Sequence, residues 1–170
     1  MAGNKFLKLS SGQLAEEASL QASAGVGDAG KIVALDATGK IDPTMMPTGI
    51  GAETKLMTTS EDLAVRDQVN IYDNSGTLTA RKADASNGRR AHGYVVAGTT
   101  SGQNATVYQD GIITGLSGLT PGAPQYLSAS VAGGITETPP TTGGHIVQEV
   151  GYAISDTEMS FNPQRPVTLA

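Results

Sequence analysis

The rings of this 170-residue chain are placed unevenly, and that placement limits where a core can form. All five tyrosines and one of the two phenylalanines (Tyr72, Tyr94, Tyr108, Tyr126, Tyr152, Phe161) lie from residue 72 onward, leaving Phe6 as the one ring ahead of them. Aromatic side chains supply the largest single parcels of buried area. A packed body is therefore expected over residues 58–170, and residues 1–57 are expected to form an arm that gains its order against other surfaces.

Hydrophobic periodicity beyond residue 58 is two, the period of a half-buried strand. Val69 and Ile71 share a face, as do Met159 and Phe161, and "VGYAI" places Val150, Tyr152 and Ile154 together. Strands are expected near 64–72, 77–83, 91–97, 104–109, 112–115, 124–128, 134–137, 145–154 and 158–162. With 22 glycines, 8 prolines and only 16% charged residues, short strands and frequent turns follow. The expected fold is mainly β, a small antiparallel barrel or sandwich. An internal echo supports it: Gly76 and Gly134, and the Gly-Tyr steps at 93 and 151, are both 58 residues apart, as two half-barrels would require.

The arm reads differently. Ser10 and Gln13 fit a capping box, and Leu14, Ala18 and Ala22 recur at helical spacing before Gly25, so a short helix is expected over 11–23. From 25 to 57 the repeated Gly-Lys-Ile around "DATG" suggests one small hairpin, while Pro43 and Pro47 keep the remainder extended. Apolar side chains dot this arm without forming a core. Leu14, Ile32, Ile41, Met45, Met46 and Ile50 are the expected contact residues, with Leu56 and Met57 adding to the arm. Adaptable methionines suit docking onto a neighbour, although they could also fold back onto their own domain.

The residues argue against several function classes. A net charge of −5 opposes binding to nucleic acid, and the pairs Arg81-Lys82 and Arg89-Arg90 read as solvated loops. The absence of cysteine removes disulfides, thiolate metal sites and thiol nucleophiles. No run of 18 apolar residues occurs, so no membrane partner is expected, and Glu16 and Glu17 interrupt what a cleaved leader would need. His92 and His145 have no acidic neighbour at useful spacing except Glu149, "GLSGL" around Ser117 misses the nucleophile-turn pattern, and the turn aspartates Asp28, Asp36, Asp42 and Asp73 lack the density of a calcium loop. No enzyme activity, cofactor or metal is expected.

The stretch "EDLAVRDQVNIYDNSGTLTARKADASNGRRAHGYVVAGTTSGQNATVYQDGII" resembles the capsid cement, or head decoration, proteins of tailed bacteriophages. "GLTPGAPQYLS…GGITETPP…GHIVQEVGYAISDTEMSFNPQRPVTL" resembles a module of phage virion proteins of both heads and tails, and "GKIVALDATGKIDPTMMP" an arm that precedes such modules. The resemblance implies a non-catalytic virion protein, made in the host bacterial cytoplasm, that sits on the outer capsid surface and stabilises the head. Its implied partners are the major capsid protein and further copies of itself, commonly as a homotrimer. Two other readings are a tail fibre or baseplate module and a carbohydrate-binding module. The latter needs exposed aromatic platforms, and the chain has no tryptophan.

Overall fold

A computed structural model describes residues 5–37, 39–42, 45–46 and 53–170. The chain divides into two units, Met1–Gly51 and Ala52–Ala170.

In the first unit β1 (Lys5–Ser10) and β2 (Gln13–Ala18) pair antiparallel, from Lys5↔Ala18 to Ser10↔Gln13. Ser11 and Gly12 between them both take positive φ, 51° and 81°, as in the primed two-residue turns whose twist matches paired strands. The helix expected over 11–23 is therefore replaced by a hairpin. Leu14 and Ala18 are an even number of residues apart and share a strand face as readily as a helical one. Gly12, which would cost a helix interior about 1 kcal/mol relative to alanine, sits without strain in the left-handed turn. Further along, Leu20 and Val33 form one parallel bridge, with Leu20 N–H donating to the Ile32 carbonyl at 2.8 Å. The small hairpin expected around "DATG" is reduced to its turn, closed by Asp36 N–H on the Lys40 carbonyl at 2.8 Å.

The second unit is built from antiparallel sheets. β3 (Thr54–Thr58), β4 (Gln68–Asn74), β5 (Thr77–Lys82), β6 (Gly93–Val95) and β7 (Asn104–Tyr108) form one sheet in the order β3-β7-β6-β4-β5. The next strands are β8 (Gly111–Thr114), β9 (Pro124–Leu127), β10 (Ile135–Thr136), β11 (Ile146–Val147), β12 (Glu149–Ala153), β13 (Glu158–Phe161) and β14 (Val167–Thr168). Of these, β8-β13-β12-β9-β10 form the second sheet, while β11 and β14 make a separate two-residue ladder. The two five-stranded orders correspond strand for strand, so the sequence echo is a duplicated topology. Loop bonds repeat as well. Arg66 N–H donates to the Val95 carbonyl at 2.8 Å, and Gly122 N–H to the Ala153 carbonyl at 2.9 Å. Arg66 and Gly122 share a left-handed φ, 72° and 85°.

The Gly-Tyr steps recur because the strands crowd there. A Cβ on Gly93 would stand 2.5 Å from the Tyr108 carbonyl oxygen, and one on Gly151 would drive into that of Ser160. Gly151 also has φ 149°, beside a register shift between Glu149 and Gly151. That bulge corrects one expected face: Val150 and Ala153 are buried, whereas Tyr152 and Ile154 are exposed. Gly76 and Gly134 are less alike. Gly76 completes a tight turn with Ser75, whereas the positive φ in the longer β9–β10 connection belongs to Gly133.

The expected barrel is not closed. The first sheet curls until its edges touch at a single parallel bridge, Thr59↔Ala80, with Ser60 N–H on the Ala80 carbonyl at 2.9 Å. At the matching seam the second sheet leaves a cleft of about 450 Å³, lined by Arg66, the Gly115–Leu119 segment, Gln125 and Ile135–Glu137. A side chain ties its rim: Glu137 Oε1 accepts from Thr120 N–H at 2.6 Å and from Gln125 Nε2 at 3.3 Å. In the first repeat the equivalent Ala64 N–H is capped by Asp67 at 2.8 Å.

Two clusters fill the interior. Met57, Leu63, Val69, Ala80, Val95, Ala105 and Val107 form the core of the first sheet. The other draws on both repeats, with Tyr94, Ile113, Leu127, Val150, Met159 and Phe161 as its larger members. Tyr94 stacks on Tyr108 with ring centroids 5.5 Å apart and meets Phe161 edge-on at 5.2 Å. The buried Gln148 amide adds a polar tie, accepting from Ala91 N–H at 2.7 Å and donating to the carbonyls of Ala91 at 3.0 Å and Gln164 at 2.9 Å.

Gly151→Ala is expected to destabilise the second unit by about 3 kcal/mol or more, since it adds both a backbone clash and a disfavoured φ. Urea unfolding followed by tyrosine fluorescence measures this, and a wild-type midpoint would contradict it. Thr120 N–H holds the Glu137 carboxyl below its ordinary value. Its contribution is therefore present above the unfolded-state pKa and is lost as pH falls through the lower folded-state pKa. Glu137→Gln should lower the unfolding midpoint at pH 7 and match wild type at acid pH. An equal gap at both pH values would mean that the charge plays no part.

Candidate interaction surface

No described residue of the first unit is buried. Among the described residues, every buried hydrophobic side chain lies at or beyond Met57. What the first unit offers instead is apolar surface held on short backbone-bonded elements.

The hairpin is the most ordered part of it. Alternation places Lys5, Leu7 and Leu9 on one face of β1, and the register sets Leu14, Glu16 and Ala18 of β2 opposite them. Leu7, Leu9 and Leu14 are 67%, 72% and 75% exposed, with Leu9 and Leu14 forming a cross-strand pair beside the turn. An ion pair borders this face, with Lys5 Nζ 2.8 Å from a Glu16 oxygen, and the Lys8–Glu17 pair spans the other face. Surface pairs of this kind contribute about 0–1 kcal/mol, and a lone two-stranded hairpin is marginal in water. The strands therefore hold a stripe of leucine outward with little of their own to stabilise it.

Beyond the hairpin, Asp28 organises a turn. Its Oδ2 accepts from Ala24 N–H at 2.7 Å and its Oδ1 pairs with Lys31 Nζ at 2.8 Å. Lys31, followed by the Ala24 N–H, holds the Asp28 carboxyl below its ordinary value, and Asp28 in turn raises Lys31. Val26 stands at the start of the 3-10 turn Val26–Asp28, almost wholly exposed.

Of the residues singled out from sequence, Leu14 lies on the leucine face of β2, next to Leu9. Ile32 is exposed, and its carbonyl accepts the Leu20 N–H. Ile41 and Met46 are exposed; Met45 is partly covered, its N–H donating to the Asp42 carbonyl at 3.0 Å. Ile50 lies outside the described residues. Sequence reasoning missed Leu7 and Leu9 as members of the surface. The available signal was "LKLSSGQL", alternating leucines flanking a Ser-Gly turn dipeptide. Leu56 and Met57, read as part of the arm, belong to edge strand β3, where Met57 is buried in the first-sheet core and Leu56 faces outward.

Other chemistry is sparse. Among the described residues no three His, Asp or Glu side chains come together as metal ligands, and no helix is long and apolar enough to cross a membrane. His145 borders an open cleft of about 330 Å³ with Ser128, Ser130 and the Pro139–Thr142 segment. Of the tyrosines, Tyr94 is buried, Tyr72 is covered by the Arg81 guanidinium, 4.0 Å from its ring centre, and Tyr152 is exposed. No protein-family model matches the chain, and no curated protein matches it.

Backbone amides of β1 and β2 are expected to exchange with solvent orders of magnitude faster than those of β12 and β13, since two strands without a core open at a cost near zero. Hydrogen exchange of the isolated protein read by mass spectrometry measures this. Equal protection in the hairpin and in β12–β13 would show that the first unit is stable by itself.

Proposed function

We propose that the chain is a non-catalytic virion structural protein of the capsid-decoration kind. In this reading residues 1–51 dock on the major capsid protein and on neighbouring copies of the chain, while residues 52–170 form the body exposed on the outer surface of the head. The observation that carries the reading is the contrast between the units. One buries two clusters of side chains; the other, where described, buries none and displays Leu7, Leu9 and Leu14 on one hairpin face.

Covering a leucine side chain is worth about 1.5–3 kcal/mol, so this face alone could anchor a small protein to a larger one. A shell presents the same docking surface many times over. In a homotrimer three such arms act together, and linkage multiplies weak individual contacts. The same leucines explain why an arm would tolerate having no core: its order forms on binding, with the ordering cost met there.

Two variants test this. Removal of residues 1–51 should leave a body with the wild-type urea midpoint that no longer co-sediments with empty shells of the capsid protein. In the full chain, Leu7, Leu9 and Leu14 all changed to serine should weaken shell binding at least about 100-fold, the equivalent of about 3 kcal/mol. Shell binding retained by residues 52–170 would reject the division of labour. A copy number per virion in the tens or below would favour a tail location over the head.

A further inference from the structure

The two repeats finish their last strands differently, and the second leaves one edge open. Val69 pairs with Gly93 and Gln125 with Gly151, so the Gly-Tyr steps align β4 with β9. Ile71↔Ala80 then matches Leu127↔Ile135, which makes Ile135 the counterpart of Ala80 and Glu137 that of Lys82. In the first repeat the outward backbone of β5 is taken up within the chain. The Ala80 carbonyl accepts from Ser60 N–H at 2.9 Å, and Lys82 N–H donates to Glu61 Oε1 at 3.2 Å.

The second repeat has no such closure. Leu127 N–H turns away from β10 and donates to the Gln148 carbonyl at 2.9 Å. Leu127 and Ile135 are therefore a non-hydrogen-bonded pair, and Ile135 directs its own N–H and C=O outward from the last strand of the sheet. Among the described residues no backbone group bonds Ile135 from across the seam. Ile135–Glu137 instead lines the cleft of about 450 Å³, where Leu116 and Leu119 are half-buried. The first unit carries a matching edge. Leu20 N–H donates to the Ile32 carbonyl and the Leu20 carbonyl accepts from Ala34 N–H, both at 2.8 Å. Val33 between them turns its N–H and C=O away from Leu20, and Ile32, Val33 and Leu35 are all exposed.

We infer that the β10 edge is a strand-docking site for the Lys31–Leu35 segment of a second copy of the chain, with Val33 and Ile135 exchanging backbone bonds in an antiparallel pair. Adding a strand to an open edge gives affinity through main-chain bonds and specificity through alternate side chains. An unpaired edge left uncovered is a template for pairing with another chain. The first repeat shows what such an edge takes when it is closed: the backbone of an extended segment. The inference rests on the reading that the first unit meets neighbouring copies, and it names the strand on which it lands.

Hydrogen exchange of the full chain at two protein concentrations tests this. Between about 1 and about 100 µM, exchange at Ile135 and Glu137 should slow about tenfold, as mass action requires of a contact of micromolar strength, with residues 31–35 slowing in step. Val33→Pro removes the outward N–H while sparing both bonds to Leu20, and it should abolish the slowing. Val33→Thr keeps the N–H and should retain it. Neither change touches Leu7, Leu9 or Leu14, so both variants should still co-sediment with capsid shells. Slowing at Ile135 and Glu137 in a chain that fails to bind shells would support the strand site and overturn the capsid reading alone. Exchange at Ile135 and Glu137 that is independent of concentration, or slowing that survives Val33→Pro, would overturn the strand site.

Discussion

Tyr94 is the side chain on which the second unit depends. It leaves β6 of the first repeat, stacks on Tyr108 of its own sheet and meets Phe161 of the second repeat edge-on. Five-stranded sheets this short cannot bury enough area singly, and the cluster that spans both repeats supplies the rest. Its buried position comes with a requirement on the backbone. The residue before Tyr94 must let β7 approach, and Gly93 does so by having no side chain. Gly151 meets the same demand against β13, which is why the two repeats share this step while diverging almost everywhere else.

Divergence between the repeats is itself informative. The first sheet meets itself at Thr59 and Ala80 through a backbone bridge; the second holds its rim through the Glu137 carboxylate. A backbone bridge is indifferent to pH over the physiological range, whereas a carboxylate tie is not. Gln125, fully buried on the second seam, uses its amide nitrogen on Glu137 while its Oε1 has no partner in the structure. Gln68 Oε1 in the first repeat is likewise without a partner, so each half leaves one buried amide oxygen unsatisfied among the described residues.

The first unit follows opposite rules. Its turns are well capped and its hairpin is in register, yet backbone bonds and surface ion pairs contribute little net stability without burial. Exposed leucine on a two-stranded ribbon is an arrangement that calls for a covering surface. That requirement links the fold to the proposed capsid-docking role.

Much of this was legible from residues alone. Nine expected segments took in ten of the strands of the body, β4–β13, because alternate burial leaves its imprint on composition wherever one face is dry, and the shortage of rings before residue 72 located the core. The hairpin was not legible, since Leu14 and Ala18 satisfy helical and strand spacing alike and only cross-strand pairing decides between them. Nor was the position of Met57, an apolar residue that reads the same on an arm or in a core until β7 lies beside it. The exposed placement of Tyr152 depended on the bulge at Gly151, and the hydrogen bonds of His92 depended on bringing residues 70, 71, 90 and 92 together. Sequence by itself determined which segments of the body could be strands and where the aromatic area for a core lies, since those follow from side-chain area and local periodicity. Tertiary structure alone decided the pairing of the repeats and the open seam, because each arises from contacts between residues that the chain holds far apart.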